Sequence, residues 1–366
     1  MSAVVARDLA QSEKSLTDWI QVKLADASDV VVSGLHRPDG SGFSNDTLLF
    51  DLSYQQAGGT VKQKLVVRIS PTGFPVFPFY DIPQQFDVMR ALETNTDIPV
   101  PKCLWKEYDA SILGEVFYVM EYLDGKVPAD NPPYLNQGFV MQLNPEQRGA
   151  MWKNGIAQMA NIHKLDYRSA GLDFLAWPES DKSAIEQHLN YFEHYLHWAA
   201  RGKPQPVAEY TLQWLKDNMP SGERDGIIWG DSRFGNVMYH GSDVRAVLDW
   251  EMIAIGNPEA DLAWWLFVDW CLQRGNGLPE AGGPRPEGML TDDETVAWYE
   301  ECSGSEVQHL KYYQVFAGIR FAPVMIRIMQ QQVHIGNIPI ELGEALERNN
   351  TVTQVLAELL GLPTPE

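Results

Sequence analysis

The sequence predicts an α+β chain of two lobes, a β-rich first third carrying one main helix and a larger, mainly helical remainder. Three observations predict it. Short apolar runs crowd the stretch from Val30 to Met120, helical spacing takes over after residue 145, and 366 residues is about the length of two domains. The chain opens with Leu9, Leu16, Trp19, Ile20 and Leu24 recurring at about three and four, so 8–26 reads as a leading helix on the first lobe. Runs at 30–32, 47–52, 64–69 and 116–120 are rich in Val, Leu, Ile and Phe and read as strands, interrupted by one helix at about 84–93. Met120-Glu121-Tyr122-Leu123-Asp124-Gly125 closes the β-rich region. It reads as a hinge at 121–125 between an N-terminal lobe, 1–120, and a C-terminal lobe, 126–366. Residues 128–144 hold three prolines and read as loop. Helical patterns then cover about 145–165, 181–201, 206–219, 259–273, 291–303, 305–333 and 341–360. Pro323 is expected to kink the sixth of these, and Gly361 with Pro363 to end the last.

Composition excludes several classes. Apolar residues make up 45% and charged residues 21%, enough to bury cores and unlike a disordered chain. No apolar run approaches the roughly 18 residues that span a bilayer, and the N-terminus lacks the apolar core of a signal peptide. A cytoplasmic, membrane-free protein is expected. A net charge of −21 repels nucleic acid and anionic lipid, so neither is an expected partner. It says nothing of the local field in a cleft, which Arg68, Arg233 and arginines of the C-terminal helices can make positive. Cys103, Cys271 and Cys302 are far apart without CxxC spacing, which indicates neither a disulfide framework nor zinc.

The most informative segment is 227–251. Two short apolar runs end in acids and an amide: Asp231 and Asn236 lie five apart, and Asp249 follows thirteen residues after Asn236. In the protein-kinase pattern, an Asp on the catalytic loop takes the proton of the acceptor hydroxyl, while an Asn five residues on and a later Asp hold magnesium. Phosphoryl transfer asks for little covalent work. It needs an in-line nucleophile and neutralised phosphate charge, and magnesium recruits only one or two carboxylates beside phosphates and water. An Asp before an Asn is also ordinary turn chemistry, since both side chains bond nearby backbone. The compound pattern decides between them. A run at 244–248 delivers Asp249, and Gly256-Asn257-Pro258-Glu259-Ala260-Asp261-Leu262-Ala263 follows.

Residues 227–266 resemble the signature of aminoglycoside phosphotransferase-like small-molecule kinases. They are most similar to the branch that includes the phosphotransferase domain fused to some acyl-CoA dehydrogenases, together with mycobacterial proteins named as aminoglycoside phosphotransferases. A fainter likeness runs from about residue 30 to the C-terminus. The resemblance implies a bilobal protein-kinase-like fold with an antiparallel-sheet nucleotide-binding lobe, and ATP and Mg2+ as cofactors. It further implies Asp231 as catalytic base, Asn236 and Asp249 as magnesium ligands, and Asp261 as an acid bracing the catalytic loop. Trp229 stands where the family usually has His, which is tolerable if its indole N–H finds a partner. Arg233, two residues after the base, is expected to contact the γ-phosphate or an anionic acceptor; the competing reading is an ion pair at the surface or within the loop.

In the first lobe, Gly40-Ser41-Gly42-Phe43-Ser44-Asn45 reads from its residues as a hairpin turn. The resemblance makes it a loop covering ATP, with Ser41, Ser44 and Asn45 as candidates. Arg68 sits on a β-run where the kinase pattern has its phosphate-pairing Lys, and its structural alternative is an exposed strand residue. Gln85 falls where related chains often have Glu, so it would orient Arg68 by a hydrogen bond without a charge pair, with Asp87 a substitute if helix phase allows. Backbone groups of Glu121, Tyr122 and Leu123 would meet the adenine edge.

Among Trp264, Trp265, Phe267, Trp270, Tyr312, Tyr313, Phe316 and Phe321, most are expected in the core and a few along the acceptor pocket. His163 is expected as a packed, hydrogen-bonded residue. A protein substrate is disfavoured, because neither Asp-Phe-Gly nor Ala-Pro-Glu brackets an activation loop. The leading reading is therefore ATP- and magnesium-dependent phosphorylation of a hydroxyl on a small molecule: aminoglycoside-like, hydroxyacyl or another alcohol. The alternative is a nucleotide-binding scaffold with little transferase activity. A hydrolase finds no Gly-x-Ser-x-Gly or His-Glu-x-x-His to build on.

Overall fold

The computed structural model describes residues 7–38, 46–177, 181–222, 224–275 and 282–365. Two compact units emerge: residues 1–94 with 101–124, and residues 95–100 with 125–366. The division falls at Asp124/Gly125, inside the hinge read from the sequence. The excursion at 95–100 was not expected; the Val247 N–H donates to the Pro99 carbonyl at 2.7 Å and ties it to the second unit. Among the described residues no helix is long and apolar enough to cross a membrane.

The first unit holds α1 (Leu9–Lys23), β1 (Ser28–His36), β2 (Asp46–Gln56), β3 (Gly59–Ile69), α2 (Ile82–Asn95), β4 (Cys103–Glu107) and β5 (Phe117–Glu121). The strands form one antiparallel sheet in the order β1-β2-β3-β5-β4. The strand β4 was missed, because Cys-Leu-Trp-Lys-Glu does not alternate. Period-two burial is clear in β2, where Leu48, Phe50, Leu52 and Tyr54 are buried in alternation, and a two-residue turn at Ala57 and Gly58 with positive φ at both joins it to β3. Leu65, Val67 and Ile69 of β3 join Leu16, Trp19 and Ile20 of α1 in one cluster on one side of the sheet. Arg68 lies on the other side. It is in register with Tyr118, whose ring meets Phe86 of α2 at 6.1 Å.

The second unit is mainly helical: α3 (Pro145–His163), α4 (Ala184–Ala200), α5 (Pro206–Asp217), α6 (Glu259–Gln273), α7 (Asp292–Ser303), α8 (Leu310–His334), α9 (Ile340–Arg348) and α10 (Thr351–Leu360). Two small antiparallel pairs interrupt it, β6 (Gly226–Ile228) with β9 (Ala254–Gly256) and β7 (Val237–His240) with β8 (Asp243–Val247). Every residue from Glu259 to Asp269 of α6 is buried, so this helix is covered on all sides and forms the centre of the unit, its acids Glu259, Asp261 and Asp269 included. The long α8 packs against it and is helical on both sides of Pro323.

The single helix expected over 341–360 is two. Asn350 breaks the periodicity, because its side chain accepts from the Val352 and Thr353 N–H groups and starts α10 with a capping box. Its amide N–H also donates to the Leu346 carbonyl at 2.9 Å, so one side chain closes α9 and opens α10. Asn350→Ala should lower unfolding free energy by about 1–2 kcal/mol, read as a lower urea midpoint at unchanged slope.

Candidate active site

The second unit builds the site from a strand, a turn and a hairpin. In β6, Ile227 and Ile228 are buried and in register with Ile255 and Ala254 of β9. The chain then turns sharply. Trp229 N–H donates to Asp261 Oδ2 at 2.6 Å and Gly230 N–H to Asp261 Oδ1 at 3.0 Å. Gly230 has φ +97, and a Cβ there would lie 2.0 Å from the Met252 carbonyl oxygen, so only glycine fits. A short 3-10 turn over Phe234–Asn236 leads into the β7–β8 hairpin, which returns Leu248 beside Asn236, with Leu248 N–H donating to the Asn236 carbonyl at 2.9 Å. Asp249 follows with φ +59, a left-handed conformation that Asp tolerates better than most residues. The hairpin thus brings Leu248, the residue before Asp249, against Asn236.

Asp231 is held on both carboxylate oxygens. Oδ1 accepts from the Trp264 indole N–H at 2.8 Å; Oδ2 accepts from Asn236 Nδ2 at 2.7 Å and Arg233 Nε at 3.0 Å. Asn236 Nδ2 donates again to the Asp231 carbonyl at 2.9 Å, which assigns the amide nitrogen and leaves Oδ1 as the acceptor end. An amide oxygen and the Asp249 carboxylate suit magnesium, whose other positions go to phosphate and water oxygens. Among the described residues no group of three or more His, Cys, Asp or Glu could cage a metal by itself.

Asp261 braces the loop. Fully buried in the first turn of α6, it accepts from the two loop N–H groups and from His163 Nε2 at 2.9 Å, and its own carbonyl takes the Ser232 hydroxyl at 2.8 Å. Burial pushes its carboxyl up, but the His163 hydrogen bond and charge, then Arg320 and Gly230, outweigh that and hold it below the usual range. His163 Nδ1 takes the Tyr299 hydroxyl at 2.8 Å, so it is the packed, bonded histidine expected. The Trp229 indole also finds its partner, the Leu248 carbonyl at 2.8 Å.

Arg233 lies in ion pairs with Asp231 and with Asp130, the competing reading of this residue. Burial pulls its guanidinium down; the Asp130 and Asp231 charges more than offset that and hold it above its ordinary value. Asp130 was missed, since nothing in a proline-rich loop marks one Asp among its neighbours. Trp264 was read only as one aromatic of a set, because no spacing rule tells a core indole from one that bonds Asp231.

The first unit treats its candidates unevenly. Ser41, Ser44 and Asn45 lie outside the described residues. Arg68 is half-buried on the α2 side of the sheet. Gln85 is 3% exposed and its side-chain oxygen accepts no hydrogen bond; Arg has only donors, so Gln85 does not orient Arg68. Asp87 does not substitute either, as both its oxygens take Lys106 Nζ at 2.7 Å. Glu121 N–H donates to the Lys102 carbonyl and Tyr122 N–H to the Lys64 carbonyl, so these two backbone donors are spent within the unit. Leu123 is buried.

Residues 36–297 match the family described as the phosphotransferase enzyme family. Acyl-CoA dehydrogenase family member 10 of Mus musculus is 32% identical over 327 residues, covering 87% of this chain and 28% of the mouse protein. The chain spans about a third of the length of the curated relatives it matches. A crystal structure of a candidate aminoglycoside phosphotransferase from Ralstonia eutropha superposes with a TM-score of 0.68 at 22% identity, covering 94% of this chain and 96% of that one. A thermostable mutant of aminoglycoside phosphotransferase APH(4)-Ia, in ternary complex with ADP and hygromycin B, has a TM-score of 0.52 at 14% identity, covering 94% and 98%. These two likenesses concern the fold.

Behind the loop, His188 donates from Nε2 to the Ile255 carbonyl at 3.0 Å. Burial, with the Arg320 charge second, pushes its pKa down from 6.5 to about 3. The unfolded chain therefore takes up this proton below 6.5 while the native one refuses it until about 3. The associated stability is complete above the upper value and drains away as pH falls towards the lower. Denaturant unfolding should show a slope near 1.4 kcal/mol per pH unit from this residue between about pH 6 and 5, absent in His188→Gln.

Proposed function

The chain belongs to the phosphotransferase enzyme family, and from that footing we propose that it transfers the γ-phosphoryl group of ATP to a hydroxyl of a small molecule, with Asp231 as the base. The observation that carries this reading is the bonding of Asp231. A carboxylate offers about four lone-pair sites. Oδ2 has spent two on Asn236 and Arg233, whereas Oδ1 has spent one on Trp264. Oδ1 therefore keeps a site aimed away from the other donors. It takes the proton of the acceptor hydroxyl as that oxygen bonds to phosphorus and the bond from phosphorus to the bridging oxygen of ADP breaks. Asn236 Oδ1 and the Asp249 carboxylate would hold magnesium, which would supply neutralisation of the phosphate charge. Arg233, anchored by Asp130 as well as by the base, keeps a positive charge beside the reacting groups while fixing the carboxylate's rotation.

On the acceptor side, six of the eight aromatics of the C-terminal set are buried, leaving Trp270 and Phe321 half-buried. Trp270 donates to Asp292, whereas Phe321 lies over Trp264 at a centroid distance of 5.4 Å. Phe321 is thus the aromatic wall next to the base. Relatives named as acyl-CoA dehydrogenases support an acceptor from acyl-group metabolism, a hydroxyacyl compound before an aminoglycoside. The scaffold alternative draws on Gln85, which stands where related chains often have Glu and whose buried side-chain oxygen accepts no hydrogen bond.

Asp231→Asn keeps the shape of the side chain and removes the base. Turnover should fall by roughly 10²- to 10⁴-fold while the magnesium-dependent rise in melting temperature with ATP persists. Asp249→Asn should lose that dependence on magnesium. Unchanged phosphate transfer in Asp231→Asn would end the assignment of the base, and no thermal shift with ATP at millimolar concentration in the parent would favour the scaffold.

A further inference from the structure

Arg320 of α8 has no part in the mechanism above, yet it is the most unusual charge in the second unit. It is 1% exposed and forms no ion pair among the described residues. Its Nη2 donates to the Gly230 carbonyl at 2.5 Å, while Nε and Nη1 are buried without a hydrogen-bond partner. The guanidinium lies over the Trp264 ring at 4.6 Å, with Phe316 at 5.7 Å and Phe192 at 5.9 Å. Burial lowers its pKa to about 10, against the opposing charges of Asp261 and Asp231, so it stays a cation at neutral pH.

A buried cation with two idle donors is a poor way to fill space, and an apolar side chain of similar volume is commonly neutral or better for stability. What an apolar residue cannot do is grip a carbonyl and lie as a flat cation on an indole. Both of those contacts lead to one place. The Gly230 carbonyl belongs to the peptide that joins Gly230 to Asp231, and the Gly230 N–H is already held by Asp261. Trp264 donates to Asp231 Oδ1. We propose that Arg320 is a further positioning residue of the candidate base, fixing the Asp231 backbone through Gly230 and the Asp231 carboxylate through Trp264. The inference rests on the phosphotransfer reading for its consequence in catalysis, but its geometry can be read without turnover.

The test uses the full chain labelled with nitrogen-15 at tryptophan, which gives indole signals from 12 residues. Trp264→Phe identifies the Trp264 signal by its loss. In Arg320→Met the Trp264 indole proton should move upfield as its bond to Asp231 loosens. With a hydroxyl acceptor, kcat should fall about 100-fold with the KM for ATP little changed, as expected when a reacting group is misplaced by about 1 Å. The double variant Arg320→Met/Trp264→Phe should lose no more than the worse single variant, because both act through one carboxylate. If Arg320→Met does not fold, Arg320→Lys keeps a cation without the planar fork and is read in the same way. An unmoved Trp264 signal in a folded variant, or additive losses in kcat, would overturn the proposal. A shifted signal in a protein that phosphorylates no alcohol would sink the phosphotransfer reading and leave the positioning intact.

Discussion

Everything at the site hangs from one buried carboxylate, Asp261. It has no exposure to solvent and three donors: the Trp229 and Gly230 N–H groups and His163. Such a group is costly to bury and costly to strand. Hydrogen bonds to a charged acceptor contribute about 1.5–3 kcal/mol each, and breaking a buried charged pair costs about 3–5 kcal/mol, a large share of a domain's total of about 5–15. The first turn of α6 offsets part of the burial, since a helix N-terminus favours negative charge. The turn at Gly230 is therefore not set by local preference. Its φ of +97 and its contact with Met252 persist because the acid behind it draws both N–H groups inward.

From that anchor the geometry passes outward in steps of single hydrogen bonds. Asp231 leaves the turn with its carboxylate already spoken for by Trp264, Asn236 and Arg233. Asn236 is locked to Asp231 by its amide and to the β7–β8 hairpin by its carbonyl, which accepts the Leu248 N–H. The hairpin then sets where Asp249 begins. Each candidate group is thus placed by another.

Charge is managed by pairing where possible and by aromatic rings where it is not. Asp130 and Asp231 share Arg233, so attraction to two carboxylates exceeds the penalty of taking the guanidinium out of water. Arg320 has no carboxylate partner among the described residues, and three rings surround it instead. Burial wins there, and its proton is held less tightly than usual.

How much could be read beforehand follows from the range of the interactions. Alternation in β2, helical spacing in α1 and α3 to α8, and the 231, 236, 249 and 261 spacing are local patterns, and a chain that must bury apolar faces and hold a phosphate displays them in sequence. For Trp229 in place of His the sequence stated the condition, an acceptor for the indole N–H, and the fold supplied it in the Leu248 carbonyl. The strand β4, the break at Asn350, the Asp130 partner of Arg233, the idle oxygen of Gln85 and the grip of Arg320 on Gly230 were not. By itself the sequence determined which residues are chemically able to act and the fold that carries them. The tertiary structure alone decided that Asp130 neutralises Arg233, that Arg320 grips Gly230 and that Trp264 bonds Asp231, because those pairings join residues 103, 90 and 33 apart whose spacing carries no periodic signal.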